Sequence, residues 1–353
     1  MPLFTGAYPD PLASAADAAM QSALTAKRQE LSLAGAPNAG NLAMTVVVVT
    51  GFEGTGQHPW AGRRENEEHY SASLLKIAAM YAAFDLRASA DQLATAGGLT
   101  AWPPIEAALV AAFNPEIAAH TPALISGSTK LRAEDKARRP DYPAVLRLGS
   151  GPDFTVDFTQ AQTDAFENMM VDQETPGATT TIHGLGYPYL DGKIADDGFF
   201  DGTAHGVWLA GDYAQQWPAA RISCVNDVDT AQGTTTRHLA MLMTLLAEDA
   251  LVGPLSSVGM KDLMARAGNF FPDTSPPIWP AGGRFGATHG KVGIGPLKSG
   301  QSVFSEALIV HDTGRDLRFV VVWQNVIDPG LSGRKLFEPV AALAEAAMNA
   351  FVP

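Results

Sequence analysis

A serine is followed three residues later by a lysine in Ser73-Leu74-Leu75-Lys76, at the start of a run of good helix formers. At that spacing the two side chains share one helix face, and the hydroxyl sits near the positive end of the helix dipole. A serine hydroxyl is too weak an acid to attack a carbonyl unaided. A neighbouring base must take its proton, and a lysine partly shielded from water can do so. The pair points to nucleophilic acyl transfer. The same spacing recurs from Ser332 to Lys335, where it reads as a turn into a closing helix. Ser73 alone follows a strand and a loop and opens a long apolar helix.

A second segment, Thr288-His289-Gly290-Lys291-Val292-Gly293-Ile294, reads as a Gly-rich strand ahead of two apolar strands. Small residues there allow a substrate backbone to lie alongside, and Lys291 is placed to hold a substrate carboxylate or to tune the serine. The N–H groups of Ser73 and Ile294 form a candidate donor pair for the oxyanion of a tetrahedral intermediate. Lys298-Ser299-Gly300 is a rival for the role of the Lys291-Val292-Gly293 triplet. Upstream, Asp172, Gln173 and Glu174 bring polar groups to a further candidate position.

Other features carry less. Asp191, Asp196, Asp197 and Asp201 do not follow calcium-loop spacing, and His183, His205, His238 and His289 lack zinc spacing, so no metal or cofactor is expected. Tyr187, Tyr189, Trp208 and Tyr213 fit pocket walls and loop packing equally well. There is no Gly-x-Ser-x-Gly and no phosphate-binding loop. Cys224 is the single cysteine, which excludes an internal disulfide.

Taken together, the segments resemble the serine β-lactamase and DD-peptidase superfamily, marked by Ser-x-x-Lys, Ser-x-Asn and Lys-Thr/Ser-Gly elements. The resemblance runs in element order over residues 40 to 350. It is nearest the class A branch, because Gly233-Thr234-Thr235-Thr236 and the Met- and Leu-rich run after it are similar to that branch's helix after the omega loop. It implies Ser73 as nucleophile, Lys76 as base and Lys291-Val292-Gly293 as third element, with Val in place of Thr or Ser.

The second element departs from the pattern. Gln173, Glu174 and Thr175 stand where the family has Ser-Asp-Asn, so the hydroxyl that passes a proton to the leaving group is missing or displaced. The stretch Arg221 to Asp229 holds Ser223, Asn226, Asp227 and Asp229 but no glutamate. Without a placed carboxylate to activate water, hydrolysis of a β-lactam acyl-enzyme is expected to be slow. The implied activity is a serine hydrolase working through an acyl-enzyme on an ester, amide or lactam. The alternatives are a non-catalytic ligand-binding member and a peptidoglycan-directed DD-peptidase.

Elements must hold these residues in place. The sequence predicts a helix over 14–33 capped by Ser14, a buried strand over 44–50 ending at Gly51, and a helix over 71–86. A helix is expected over 160–171, long loops over 191–228, and a helix opened by Thr234-Thr235-Thr236 and running through Glu248, with those threonines as its candidate caps. Strands over 286–293, 307–311 and 319–324 and a closing helix over 335–351 complete the pattern. The expected fold is α+β, β-lactamase/transpeptidase-like, with an antiparallel sheet flanked by terminal helices and a helical insert. The boundaries are 1–72 and 245–353 for the sheet domain and 73–244 for the mostly helical subdomain.

Composition agrees with an enzyme of this size. Of 353 residues 46% are hydrophobic and only 17% charged, enough to bury a large core. A net charge of -13 disfavours nucleic acid and anionic membrane surfaces. The expected partner is a small acyl substrate. Met1 to Met20 lack a secretory pattern, so the chain reads as cytoplasmic unless a leader has been removed.

Overall fold

The structure, a computed structural model, describes residues 2–49, 57–151, 154–330 and 333–352. The expected strand end at Gly51 and the second serine–lysine spacing from Ser332 fall partly outside them.

The valine run forms β1 (Ala43–Val49), buried along its whole length. It pairs antiparallel with β2 (Trp60–Arg63) on one side and β5 (Leu317–Ile327) on the other. With β3 (Phe285–Pro296) and β4 (Ser302–Asp312) these make a five-stranded antiparallel sheet in the order β3-β4-β5-β1-β2. A continuous apolar run suits β1 because both faces of the sheet are covered. Met44, Val46 and Val48 face one core, and Val47 and Val49 the other.

The first face is covered by the terminal helices α1 (Ala18–Leu33) and α9 (Arg334–Ala350), which pack together through Met20, Leu24, Leu336 and Val340. The helix α1 begins four residues later than the sequence suggests. Its cap is Asp17, whose carboxylate accepts from the N–H groups of Ala19 and Met20, so Ser14 is not used.

The second face carries the helical layer: α2 (Lys76–Ala96), α3 (Trp102–His120), α4 (Gln160–Phe166), α5 (Thr175–Leu185), α6 (Tyr187–Asp196), α7 (Thr236–Ala247) and α8 (Pro254–Ala265). The cap of α7 follows expectation, with Thr235 Oγ1 accepting from His238 N. The helix α2 runs ten residues past Leu86. The segment expected to be loop from Asp191 starts inside α6, where Pro188 is compatible with the helix because first-turn N–H groups need no partner. After α4 the chain widens into a π-helical turn, Glu167–Val171. Here α4 and the π turn replace the expected single helix over 160–171. Among the described residues no helix is long and apolar enough to cross a membrane.

Candidate active site

Ser73 lies half-buried on one tight helical turn, Ala72–Leu75, that leads into α2. The turn is held by distant groups. Ser71 N donates to Gln232 O at 3.0 Å, Ser305 Oγ on β4 donates to Ser71 O at 2.9 Å, and Gln324 Nε2 on β5 donates to Ser71 Oγ at 3.1 Å. Ala72 has φ +51°, a conformation that costs a non-glycine residue roughly 1–3 kcal/mol and persists only where neighbours enforce it. The Tyr213 hydroxyl, donating to Ala72 O at 3.1 Å, is one such neighbour.

The edge strand β3 runs directly against this turn. A Cβ on Gly293 would collide with Ser71 O and Ser305 Oγ and lie 2.8 Å from Leu74 N. One on Gly295 would strike the Tyr70 hydroxyl and lie 2.8 Å from Ala72 Cβ. These two glycines let the strand reach the nucleophile turn. Ile294 between them is 51% exposed, so it projects from the site's edge.

Lys76 is fully buried, and Nζ donates to the carbonyls of Gln173 at 3.0 Å and Glu174 at 2.6 Å. Gln173 has φ +62°, and this turn presents two successive carbonyls to the ammonium. Its side chain ties back to Gly268 O at 3.1 Å, while Glu174 Oε2 accepts from Asn168 Nδ2 on the π turn at 2.6 Å. Burial lowers the Lys76 pKa to about 8, and the Glu174 charge only partly opposes this. Among the described residues no hydrogen bond joins Nζ to Ser73.

Lys291 is also fully buried, with Nζ donating to Val292 O at 3.1 Å. Burial and the nearby Lys76 ammonium lower its pKa to about 7, against the opposing pull of Glu306. Glu306 on β4 is itself buried. It accepts from Phe270 N at 2.7 Å and Trp323 Nε1 at 3.2 Å, and burial raises its pKa to about 8. Lys298, by contrast, lies on the turn after β3, 49% exposed and ion-paired with Asp229 at 2.5 Å. Of the two candidate triplets, the structure brings Lys291-Val292-Gly293 to Lys76 and leaves Lys298 at the rim.

Tyr213 is the residue whose role sequence reasoning did not resolve. Besides bonding Ala72 O, its ring faces Lys76 Nζ at 5.5 Å. Burial raises its pKa well above 10, so it stays a phenol. Its loop is clamped. Asp212 accepts from Gln216 N and Trp217 N and pairs with His183 Nε2 at 2.7 Å. The Trp217 ring stacks on His183 with centroids 3.6 Å apart, and the Arg138 guanidinium lies over the Trp217 ring at 3.7 Å. Beside Tyr213 opens a cavity of about 700 Å³ that extends past Tyr70 and Pro296 to Arg221, Asp229 and Lys298. The carboxylate that acts on Lys76 is Glu174, and none from the Asp212 loop does so.

No protein-family model matches the chain, and comparison with curated proteins finds no match. Solved structures do match. The TLA-1 extended-spectrum β-lactamase superposes with TM-score 0.55 at 11% identity, covering 93% of this chain and 98% of that one. A β-lactamase from Chitinophaga pinensis gives the same four values. An ancestral class A β-lactamase gives TM-score 0.51 at 14% identity, covering 94% and 100%. The chain therefore has the serine β-lactamase fold, as the motif resemblance implied. At these identities the likeness is one of architecture.

Proposed function

We propose that the chain is a serine hydrolase that acts on an ester, amide or lactam through an acyl-enzyme on Ser73. The observation that carries this reading is a half-buried serine one helical turn from a buried lysine whose pKa burial lowers to about 8. Neutral Lys76 takes the Ser73 hydroxyl proton as Oγ bonds to the substrate carbonyl carbon. The N–H groups of Ser73 and Ile294 hold the resulting oxyanion. The tetrahedral intermediate expels the leaving group, which takes a proton from the Lys76 ammonium. Water then cleaves the ester to Ser73 and frees the acid. Val292 offers the leaving-group side no hydroxyl, and Lys291 acts from within the core, through its place beside Lys76. Glu174, whose main-chain carbonyl accepts from Lys76 Nζ and whose carboxylate is tied to Asn168, is the carboxylate that acts on Lys76.

A second reading, a ligand-binding protein without catalysis, draws on one observation: Lys76 Nζ is turned to the carbonyls of Gln173 and Glu174. Intact-protein mass spectrometry with a fluorophosphonate and with a penicillin separates the two. The hydrolase reading expects an adduct on the native chain and none on Ser73→Ala. A folded native chain that takes up neither reagent would decide for the binding protein.

A further inference from the structure

The large cavity beside Tyr213 has two chemically distinct ends. The near end is Tyr70, Tyr213 and Pro296, and Tyr213 is bonded to the carbonyl just before Ser73. At the far end Lys130, Arg221 and Lys298 line the wall around Asp229. That single carboxylate takes Lys298 at 2.5 Å and Arg221 at 3.6 Å, and among the described residues Lys130 has no ion-pair partner. The other two acids of the cavity differ, and only one of them has a side-chain partner among the described residues. Asp212 is paired with His183, and Asp227 accepts from the main-chain N–H groups of Val228 and Lys298.

Three cations thus face the two carboxylates Asp227 and Asp229 at this end, in a chain with a net charge of -13. The opposite side of the nucleophile differs. There a cavity of about 300 Å³ is lined by Val292, Ile294, Phe270, Phe337 and Asp273, with no lysine or arginine in its wall.

We propose that the large cavity receives the acyl part of the substrate and selects an acyl group that ends in an anion, such as a carboxylate. This rests on the reading of Ser73 as nucleophile. An incoming carboxylate would pair with the Arg221 and Lys130 charges that Asp229 leaves partly unmatched. The acyl chain would lie along the Tyr70 and Tyr213 walls. The leaving group would meet Val292, Ile294 and Phe270 with the uncharged polar groups of Gln173, Asn269 and Thr274, and Asp273 as the one charged residue of that wall among the described residues.

The test uses two p-nitrophenyl esters of equal acyl length, the monoester of glutarate and the pentanoate. The expected kcat/KM ratio favours the glutarate ester about tenfold, the size two part-exposed charge pairs provide. The ratio should shrink in high salt and fall to about one in the Arg221→Gln/Lys130→Gln double variant. Binding of free glutarate to Ser73→Ala by calorimetry gives a second readout that needs no turnover, and it should weaken in the same double background. Ser73-dependent cleavage of both esters at equal rates, with no glutarate binding, overturns the subsite and leaves the nucleophile standing. Charge-dependent glutarate binding without cleavage of either ester supports the subsite and counts against the hydrolase. A preference for the pentanoate overturns the proposal outright.

Discussion

Burial lowers the proton affinity of both Lys76 and Lys291; the Lys76 ammonium lowers that of Lys291 further, while Glu174 and Glu306 partly oppose the two shifts. The consequence for pH has a definite sign. Lys76 must be neutral to accept the Ser73 proton, so acylation should be slow below its pKa and rise as pH increases through about 8. Lys291, with a pKa near 7, is already largely neutral at that pH, so Lys291→Met should leave the midpoint near 8. The measurement is the fluorophosphonate labelling rate between pH 6 and 10 for both proteins. A flat profile, or a midpoint far from 8 in the native chain, would assign the proton transfer to another group.

At the scale of elements, the approach of β3 to the Ser73 turn is the critical contact, and Gly293 permits it. Gly293→Ala places a methyl where Ser71 O, Ser305 Oγ and Leu74 N already stand, so strand and turn must separate. The expected result is a folded protein destabilised by about 1–3 kcal/mol, the usual size of an overpacking penalty. Labelling of Ser73 should fall by about 100-fold, because displacement of an aligned group by 1 Å is enough to do so. Thermal unfolding and labelling on one preparation check both, and full activity with normal stability would mean the strand is not seated as described.

This contact also shows what could be read beforehand. Ser73, Lys76, Lys291 and Gly293 were legible because short spacing along one helix or strand fixes which side chains share a face. Tyr213 was not. It comes from a loop without periodicity, and its place depends on the Asp212–His183 pair and the Arg138–Trp217–His183 stack, all set by tertiary packing. Glu306 and Gln324 were hidden for a related reason, since buried polar residues on apolar strands show no pattern until their partners Phe270, Trp323 and Ser71 are in place. The extension of α2 past Leu86 was obscured by Arg87, Ser89, Asp91 and Gln92, which are polar yet compatible with a helix packed on one side.

At the scale of the molecule, the nucleophile turn sits where the helical layer meets the sheet, and one apolar core runs through that junction. Val47, Ile309, Val320 and Val322 from the sheet share it with Ile77, Met80, Tyr189 and Leu246 from the helices. The sheet has a second core under α1 and α9, but the large core of the helical layer is shared with the sheet, α7 packing on β1, β4 and β5. Unfolding should therefore be a single transition whose calorimetric and van't Hoff enthalpies agree. Leu246→Ala, in the fully buried face of α7, should lower stability by about 2–5 kcal/mol and shift that one transition without splitting it. Differential scanning calorimetry of both proteins, followed by Ser73 labelling at each temperature, is the check. If a helical transition appeared below the main one while labelling persisted, the helical layer would be a separable unit. Loss of labelling together with the single heat-absorption peak would tie the nucleophile's geometry to the integrity of the whole fold.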